Sequence, residues 1–395
     1  MRAAVFTTPD ANHFRRASTV VAALAGAGVE VRVYTDRRFG PEVEAAGATL
    51  ADVFTPFPLD SADAVSIPRS CRDVTWAGVF GDAIIREAAA FAPDVVLYDS
   101  FAVIGRVVGV ALGVPYVSVV AGHNMDPARV VQELARDPRV KIATECLAAV
   151  EVLRTRHGWE DASPFSYSAA LSPHLNLYCE PPAFLTEAER PPFEPLAFWG
   201  SVRAVDRAVA RSPRERPPRR VYASMGTIIW RYWAAEALAA LRAVAGVVER
   251  TSGMEAVISL GGYPLEDAAM AELERPDVRV VRWADQWEEL RTADAFFTHC
   301  GLNSTHESCF HRVPMVAYPF FGDQPGLAAR CCELRLAVPL AESRAPVTEE
   351  HVAAALGRLS DEAPAMDAAL ELAHARELEV IAGRPAVIQR IAALA

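Results

Sequence analysis

A chain of 395 residues, 52% of them hydrophobic, has enough apolar surface for two domains with cores of their own. Its formal charge of −11 at pH 7 offers no basic patch to offset phosphate repulsion, which argues against a nucleic-acid partner. The seven cysteines are odd in number and form neither a C-x-x-C pair nor a metal-ligand spacing, so reduced thiols and a cytoplasmic location are expected.

Met1 to Phe6 enters a strand directly, so no signal peptide is expected before the fold. The longest apolar run, Val107 to Ala121, is cut by Pro115 and is too short to span a bilayer, so no integral membrane contact is expected. Ala3 to Thr7 reads as a first strand, followed by a loop from Thr8 to His13. A helix from Phe14 to Ala25 ends at Gly26-Ala27-Gly28, and Val29 to Tyr34 is a second strand. Asp94 to Tyr98 and Pro115 to Val119 read as further buried strands, with a helix from Val103 to Leu112 between them. This alternation predicts a doubly wound α/β sheet of parallel strands. In such sheets ligands bind beyond the carboxyl ends of the strands, where His13 and Asp99 stand. Taken alone, each has a plainer reading: His13 as a solvated loop residue, Asp99 as a helix cap.

Phe54 to Val79, with Pro56, Pro58, Pro68 and several aromatics, reads as irregular loops over an apolar pocket. Helical stretches between Met125 and Tyr167 are expected to line the same pocket, with His123 and His157 structural or on the surface. Leu175 to Tyr178 and Leu196 to Trp199 are the last strands of this half. Ser201 to Arg220 is charged and proline-rich, the composition of an exposed linker.

The second half opens with a strand, Val221 to Ala223, and the turn Ser224-Met225-Gly226-Thr227. A helix over Trp230 to Glu249 and strands at Glu255 to Leu260 and Val278 to Val281 lead into the run from Val281 to Gln324. There two short apolar segments, Ala295 to Thr298 and Met315 to Tyr318, have the length of buried parallel strands. Between them lie a turn, His299-Cys300-Gly301-Leu302, and a helix beginning near Asn303 or Ser304. Strand, glycine turn and helix start together make a phosphate site, because free N–H groups and the helix dipole favour an anion. The same residues also fit a capping box from Ser304 to Glu307, and Asp323 could cap the helix running on to Leu334. Helices are expected over His351 to Leu359, Ala363 to Ala375 and Pro385 to Leu394.

The run from Val281 to Gln324, about a ninth of the chain, resembles the C-terminal signature box of nucleotide-sugar-dependent glycosyltransferases that act on small lipophilic molecules. The family's plant members show a tryptophan start, then H-C-G-W-N-S-T-x-E-S, then a closing D/E-Q. Here Trp283, Ala284 and Gln286 precede His299-Cys300-Gly301-Leu302-Asn303-Ser304-Thr305-His306-Glu307-Ser308, and Asp323-Gln324 closes the run. The resemblance implies that Trp283 stacks on uracil, Gln286 approaches the nucleoside, and His299, Asn303 and Ser304 bind the diphosphate. Glu307 would accept both ribose hydroxyls, and Asp323 and Gln324 would read the sugar. Leu302 replaces the usual tryptophan and Asp285 a usual proline. Ser224 and Thr227 match the family's V-Y-x-S-x-G-[ST] turn near the sugar phosphates. His13 stands where the family keeps its catalytic base, without the glycine and proline of G-H-x-x-P, and Asp99 matches the partner aspartate.

The fold so implied is GT-B: two facing Rossmann-like domains over 1–205 and 220–380, a linker over 206–219, and a helix over 381–395 packing back on the first domain. The implied reaction is inverting glycosyl transfer without a metal or cofactor beyond the UDP-sugar. Glucose is the first choice of sugar, and a lipophilic polyketide or phenol the expected acceptor. The competing readings are a transferase using a dTDP-deoxysugar in antibiotic biosynthesis, a nucleotide-sugar epimerase, and a non-catalytic sugar-nucleotide binder. A monomer or homodimer is expected.

Overall fold

The computed structural model describes residues 1–203 and 217–395, so most of the expected linker over 206–219 lies outside the described residues. The chain divides into two compact units. One comprises residues 1–203 and 380–395, the other residues 204–379.

The first unit is built on seven strands: β1 (Arg2–Phe6), β2 (Glu30–Thr35), β3 (Thr49–Asp52), β4 (Val95–Asp99), β5 (Tyr116–Val120), β6 (Leu175–Tyr178) and β7 (Leu196–Phe198). They pair in the order β3-β2-β1-β4-β5-β6-β7, every neighbour parallel. Every residue of β4 and β5 is buried, as strands covered on both faces require. The sheet grows one way from β1 and the other way from β4, so its switch point lies between them.

Three sequence expectations are corrected, two in this unit and one in the C-terminal helix. The first helix runs over Ala11–Gly26, because the Asp10 side chain accepts from the Asn12 N–H at 2.9 Å and starts it early. His13 therefore stands in the first helical turn and not in a loop. The segment expected to be irregular up to Val79 becomes a helix, Cys71–Phe91, three residues after Pro68. Its inner face buries Val74, Trp76, Ile84 and Ala88, a helical periodicity that the prolines upstream concealed. Finally, the two C-terminal helices are one, Ala363–Ala392, which continues through Pro385 at the cost of one backbone hydrogen bond.

Residues of that helix beyond Val380 group with the first unit. Buried Arg384 donates from Nε to the Trp199 carbonyl at 3.1 Å and from an Nη to the Val202 carbonyl at 2.6 Å, and lies over the Trp199 ring. His123, read as structural or surface, is buried and hydrogen-bonded to buried Glu180 at 2.8 Å.

The second unit holds six strands: β8 (Arg220–Ser224), β9 (Glu255–Ser259), β10 (Val278–Val281), β11 (Ala295–Thr298), β12 (Met315–Ala317) and β13 (Ala337–Pro339). Their order is β10-β9-β8-β11-β12-β13, again all parallel, with the switch point between β8 and β11. The expected helix over Trp230 to Glu249 is split into a short turn, Ile229–Arg231, and a helix, Ala234–Arg250. Val244, Val248, Ala256, Ile258, Phe297 and Val316 belong to one core cluster beside the sheet. Among the described residues no helix is long and apolar enough to cross a membrane.

Hydrogen bonds from a charged donor contribute about 1.5–3 kcal/mol each where buried. Arg384→Met should therefore lower stability by about 2 kcal/mol or more in urea unfolding. A loss within a few tenths of a kcal/mol would show that the helix end is held by apolar packing alone.

Candidate functional site

The switch point of each sheet gathers polar side chains, and each cluster belongs to one unit. In the first unit, Asp99 ends β4 and is fully buried, while His13 projects from the helix that follows β1. His13 Nδ1 lies 2.9 Å from both Asp99 oxygens, and its ring rests on Phe101 at 4.5 Å between centroids. Burial raises the Asp99 carboxyl. The His13 imidazole, its hydrogen bond, the Arg16 charge and the Phe101 N–H nevertheless hold it below the ordinary value. An ionised carboxylate only accepts, so Nδ1 carries the ring proton and Nε2 is left as a base. Asp99 also accepts from the Phe101 N–H at 2.9 Å, but the helix that follows, Ile104–Leu112, has its N-cap at Val103 with no side-chain bond, so the plainer reading of Asp99 as a helix cap is corrected.

Asp73, which sequence reasoning passed over inside its supposed loop, belongs to the same electrostatic cluster. Burial pushes its carboxyl up to about 7; Arg69 and His13 pull it down, while Asp99 and Asp10 push it further up. The signal that could have found it was a single carboxylate on the buried face of an otherwise apolar helical pattern.

In the second unit, β11 delivers a turn at His299-Cys300-Gly301 and the helix Leu302–Phe310. Gly301 is the N-cap and no side chain caps the helix; the first backbone bond runs from the Thr305 N–H to the Gly301 carbonyl. The N–H groups of Leu302, Asn303 and Ser304 therefore have no intrahelical acceptor. The capping-box reading is thereby corrected. Ser304 is inside the helix and donates from Oγ to Gln286 Oε1 at 3.3 Å. Glu307 accepts from Gln286 Nε2 at 2.7 Å and is buried. Gln286 holds that position because Asp285, accepting from the Trp287 N–H at 3.1 Å, caps the helix Gln286–Thr292. The aspartate that departs from the family's proline thus does the structural work of starting this helix.

His299 is enclosed by glycine backbone. A β-carbon at Gly226, where φ is +68°, would approach its ring to 2.5 Å, and one at Gly301 would overlap Nε2. Desolvation there pushes the imidazole down to about 4, opposed by the Ser224 carbonyl, so the ring is neutral at pH 7. Ser224 ends β8 opposite Thr298 of β11, which puts the Ser224–Thr227 turn at the same sheet edge. Trp283 is 53% exposed and flanks Gly262, and Ala284 follows it before the Asp285 cap. Asp323 stands at the N-cap of the helix Gln324–Glu333. Gln324 accepts from the Phe320 N–H at 3.0 Å through Oε1, which fixes the orientation of its amide. The buried Leu302 side chain packs inward and Trp287 packs on Phe310.

Residues 263–374 match the family described as UDP-glucoronosyl and UDP-glucosyl transferase. An anthocyanidin 3-O-glucosyltransferase of Gentiana triflora is 52% identical over 48 residues, covering 12% of this chain and 11% of that protein. The chain thus matches about a ninth of the length of such a curated relative. In structure, the glycotransferase of kitacinnamycin aligns with a TM-score of 0.75 at 21% identity, over 98% of both chains. The glycosyltransferase VinC in complex with dTDP aligns at 0.68 and 16% identity over the whole of both. The likeness shows the fold, two Rossmann-like units of the GT-B class, and the resemblance read from the signature box holds.

The raised Asp73 carboxyl makes stability pH-dependent. Its folded value lies above the ordinary 3.8, so its contribution is intact below pH 3.8 and is lost as pH rises through 7. Asp73→Asn should be more stable than the parent at pH 8, by up to the order of 4 kcal/mol, and the gap should close by pH 4. A gap equal at both pH values in thermal unfolding would contradict the buried carboxyl.

Proposed function

We propose that the chain transfers a sugar, with glucose as the first choice, from a uridine diphosphate donor to a hydroxyl of a small lipophilic acceptor, with inversion. The observation that carries this reading is the Ser304–Gln286–Glu307 network. Glu307 is a carboxylate held by a neighbouring amide, not a helix cap, in the position that the family uses for ribose. A carboxylate suits a vicinal diol, and deoxyribose lacks one of those hydroxyls, so UDP is favoured over dTDP.

In this reaction His13 Nε2 takes the proton of the acceptor hydroxyl as its oxygen forms the bond to the anomeric carbon. Asp99, hydrogen-bonded at Nδ1, stabilises the imidazolium. The bond from the anomeric carbon to the diphosphate oxygen breaks, and the leaving charge goes to the helix start at Leu302–Ser304, which no side chain caps. Such a site supplies positive potential without a metal ion. Trp283 stacks on the base, and Asp323 and Gln324 read the sugar. An α-linked donor then gives a β-glycoside. The seven cysteines, six buried and none in a disulfide, support a cytoplasmic setting.

The second reading, a dTDP-deoxysugar as donor, draws on the solved relative that binds dTDP. Calorimetry of UDP-glucose and dTDP-glucose separates the two. UDP-glucose should bind more tightly by about tenfold, and Glu307→Ala should erase that margin, since one charged hydrogen bond is worth ~1.5–3 kcal/mol. Equal binding in the parent chain selects the deoxysugar reading. For catalysis, His13→Ala should lower kcat by about 10²–10⁴ with UDP affinity unchanged, the range for removal of a general base. Full turnover in that variant would assign the proton transfer elsewhere.

A further inference from the structure

The helix Leu302–Phe310 is only nine residues long, so its rotation about its own axis is set by the side chains that leave it. Ser304 and Glu307 reach Gln286 on one face. At about 100° per residue, His306 leaves the helix roughly 130° from the midline of that pair. There its Nδ1 meets Glu377 Oε1 at 2.6 Å, with the imidazole 0% and the carboxyl 1% exposed. Glu377 lies 71 residues on, in the long helix Ala363–Ala392. One turn earlier in that helix, buried His374 donates from Nδ1 to the Phe310 carbonyl at 2.6 Å, an acceptor that the end of the short helix leaves open. The short helix is thus gripped on two faces and at its end.

A third contact, Arg312 with Glu371 at 3.3 Å, has its carboxylate 68% exposed and contributes little. The His306–Glu377 pair is different. Its second carboxyl oxygen, Oε2, is enclosed without a hydrogen-bond partner among the described residues. Replacing a buried pair by apolar side chains of similar volume generally costs little stability, so stability alone does not account for keeping it. What the pair supplies is a single arrangement. The contact needs one proton between two atoms, and turning or sliding either helix leaves both groups bare in the core. The feature so fixed is the direction in which the N–H groups at the start of the short helix point.

We propose that Glu377 is a positioning residue for the donor: through His306 it fixes the rotation of the helix Leu302–Phe310 and aims the helix start at the diphosphate. This rests on the reading of that helix start as the diphosphate site. The nucleoside, held by other residues, is indifferent to the pair.

The test is calorimetric titration of the full chain with UDP and, separately, with uridine, alongside thermal unfolding. The double variant His306→Leu/Glu377→Leu should unfold within a few degrees of the parent chain. It should bind UDP about tenfold more weakly, as misdirected N–H groups lose charged hydrogen bonds, with uridine binding unchanged. Glu377→Gln, whose amide oxygen can still accept from the ring, should keep UDP affinity to within about twofold of the parent. Should the double variant fail to fold, the same split between UDP and uridine is read in Glu377→Asp, which draws the carboxylate back by one methylene. Parental UDP affinity in the folded double variant or in Glu377→Asp would overturn the proposal. So would an equal loss for UDP and uridine, which marks general loosening, or a Glu377→Gln chain as weak as the double variant, which marks an effect of charge. Absence of UDP binding in the parent chain would overturn the donor reading and this inference with it, whereas the other outcomes overturn the inference alone.

Discussion

The start of the helix Leu302–Phe310 is the constraint on which the second unit depends. Its N-cap is a glycine, so no side-chain oxygen competes for the first N–H groups. Cys300 at φ +56° and Gly301 turn the chain sharply from β11 into the helix, and Gly226 leaves room for the His299 ring beside them. A helix start ordinarily satisfies its donors with a serine or aspartate cap. Here the one serine in the first turn is spent on Gln286, which in turn holds Glu307. The serine hydroxyl is thus taken away from the helix start, and the Glu307 carboxylate is tied to the Gln286 amide.

Both sheets obey the same rule. Parallel strands bury both faces, so most polar residues gather at the strand ends, and the switch point is where those ends diverge. Thr8, His13, Asp73 and Asp99 gather at one such point, and Ser224, His299 and Ser304 at the other. Their electrostatics differ. Asp99 is kept ionised by its histidine, while Asp73, without a bonded partner, is pushed toward neutrality by the same burial. His299 is kept neutral by its burial. Two carboxyls with environments that push them apart can take different roles within one cluster.

Much of this was legible in the residue order. Continuous apolar runs such as VVLYD and AFFT announce strands buried on both faces, and both lie in the sheets as read. β3 and β13 were missed because Thr49–Asp52 and Ala337–Pro339 are short and lie at sheet edges, where the apolar signal is weak. The helix Cys71–Phe91 was hidden by prolines that precede it. The split after Trp230 arises where the indole donates to the Gly226 carbonyl, a tertiary bond that no local pattern encodes. His13 and Asp99 could be singled out by their places after strands, but the 2.9 Å pairing across 86 residues is a product of topology. Glu307 fitted a capping box as well as a ligand site in sequence, and only the position of Gln286 separates the two. Asp73 was lost with that helix, since only the hidden helical pattern puts it on a buried face, and the charges that act on it come from residues distant in the chain.

The most direct measurement of the central claim is the backbone amide spectrum of the chain titrated with UDP and, separately, with uridine. The amide resonances of Leu302, Asn303 and Ser304 should shift downfield with UDP as their N–H groups take phosphate oxygens, and should barely move with uridine. Saturable UDP binding that leaves these three amides in place would contradict the account, because the anion would then be held somewhere other than the helix start.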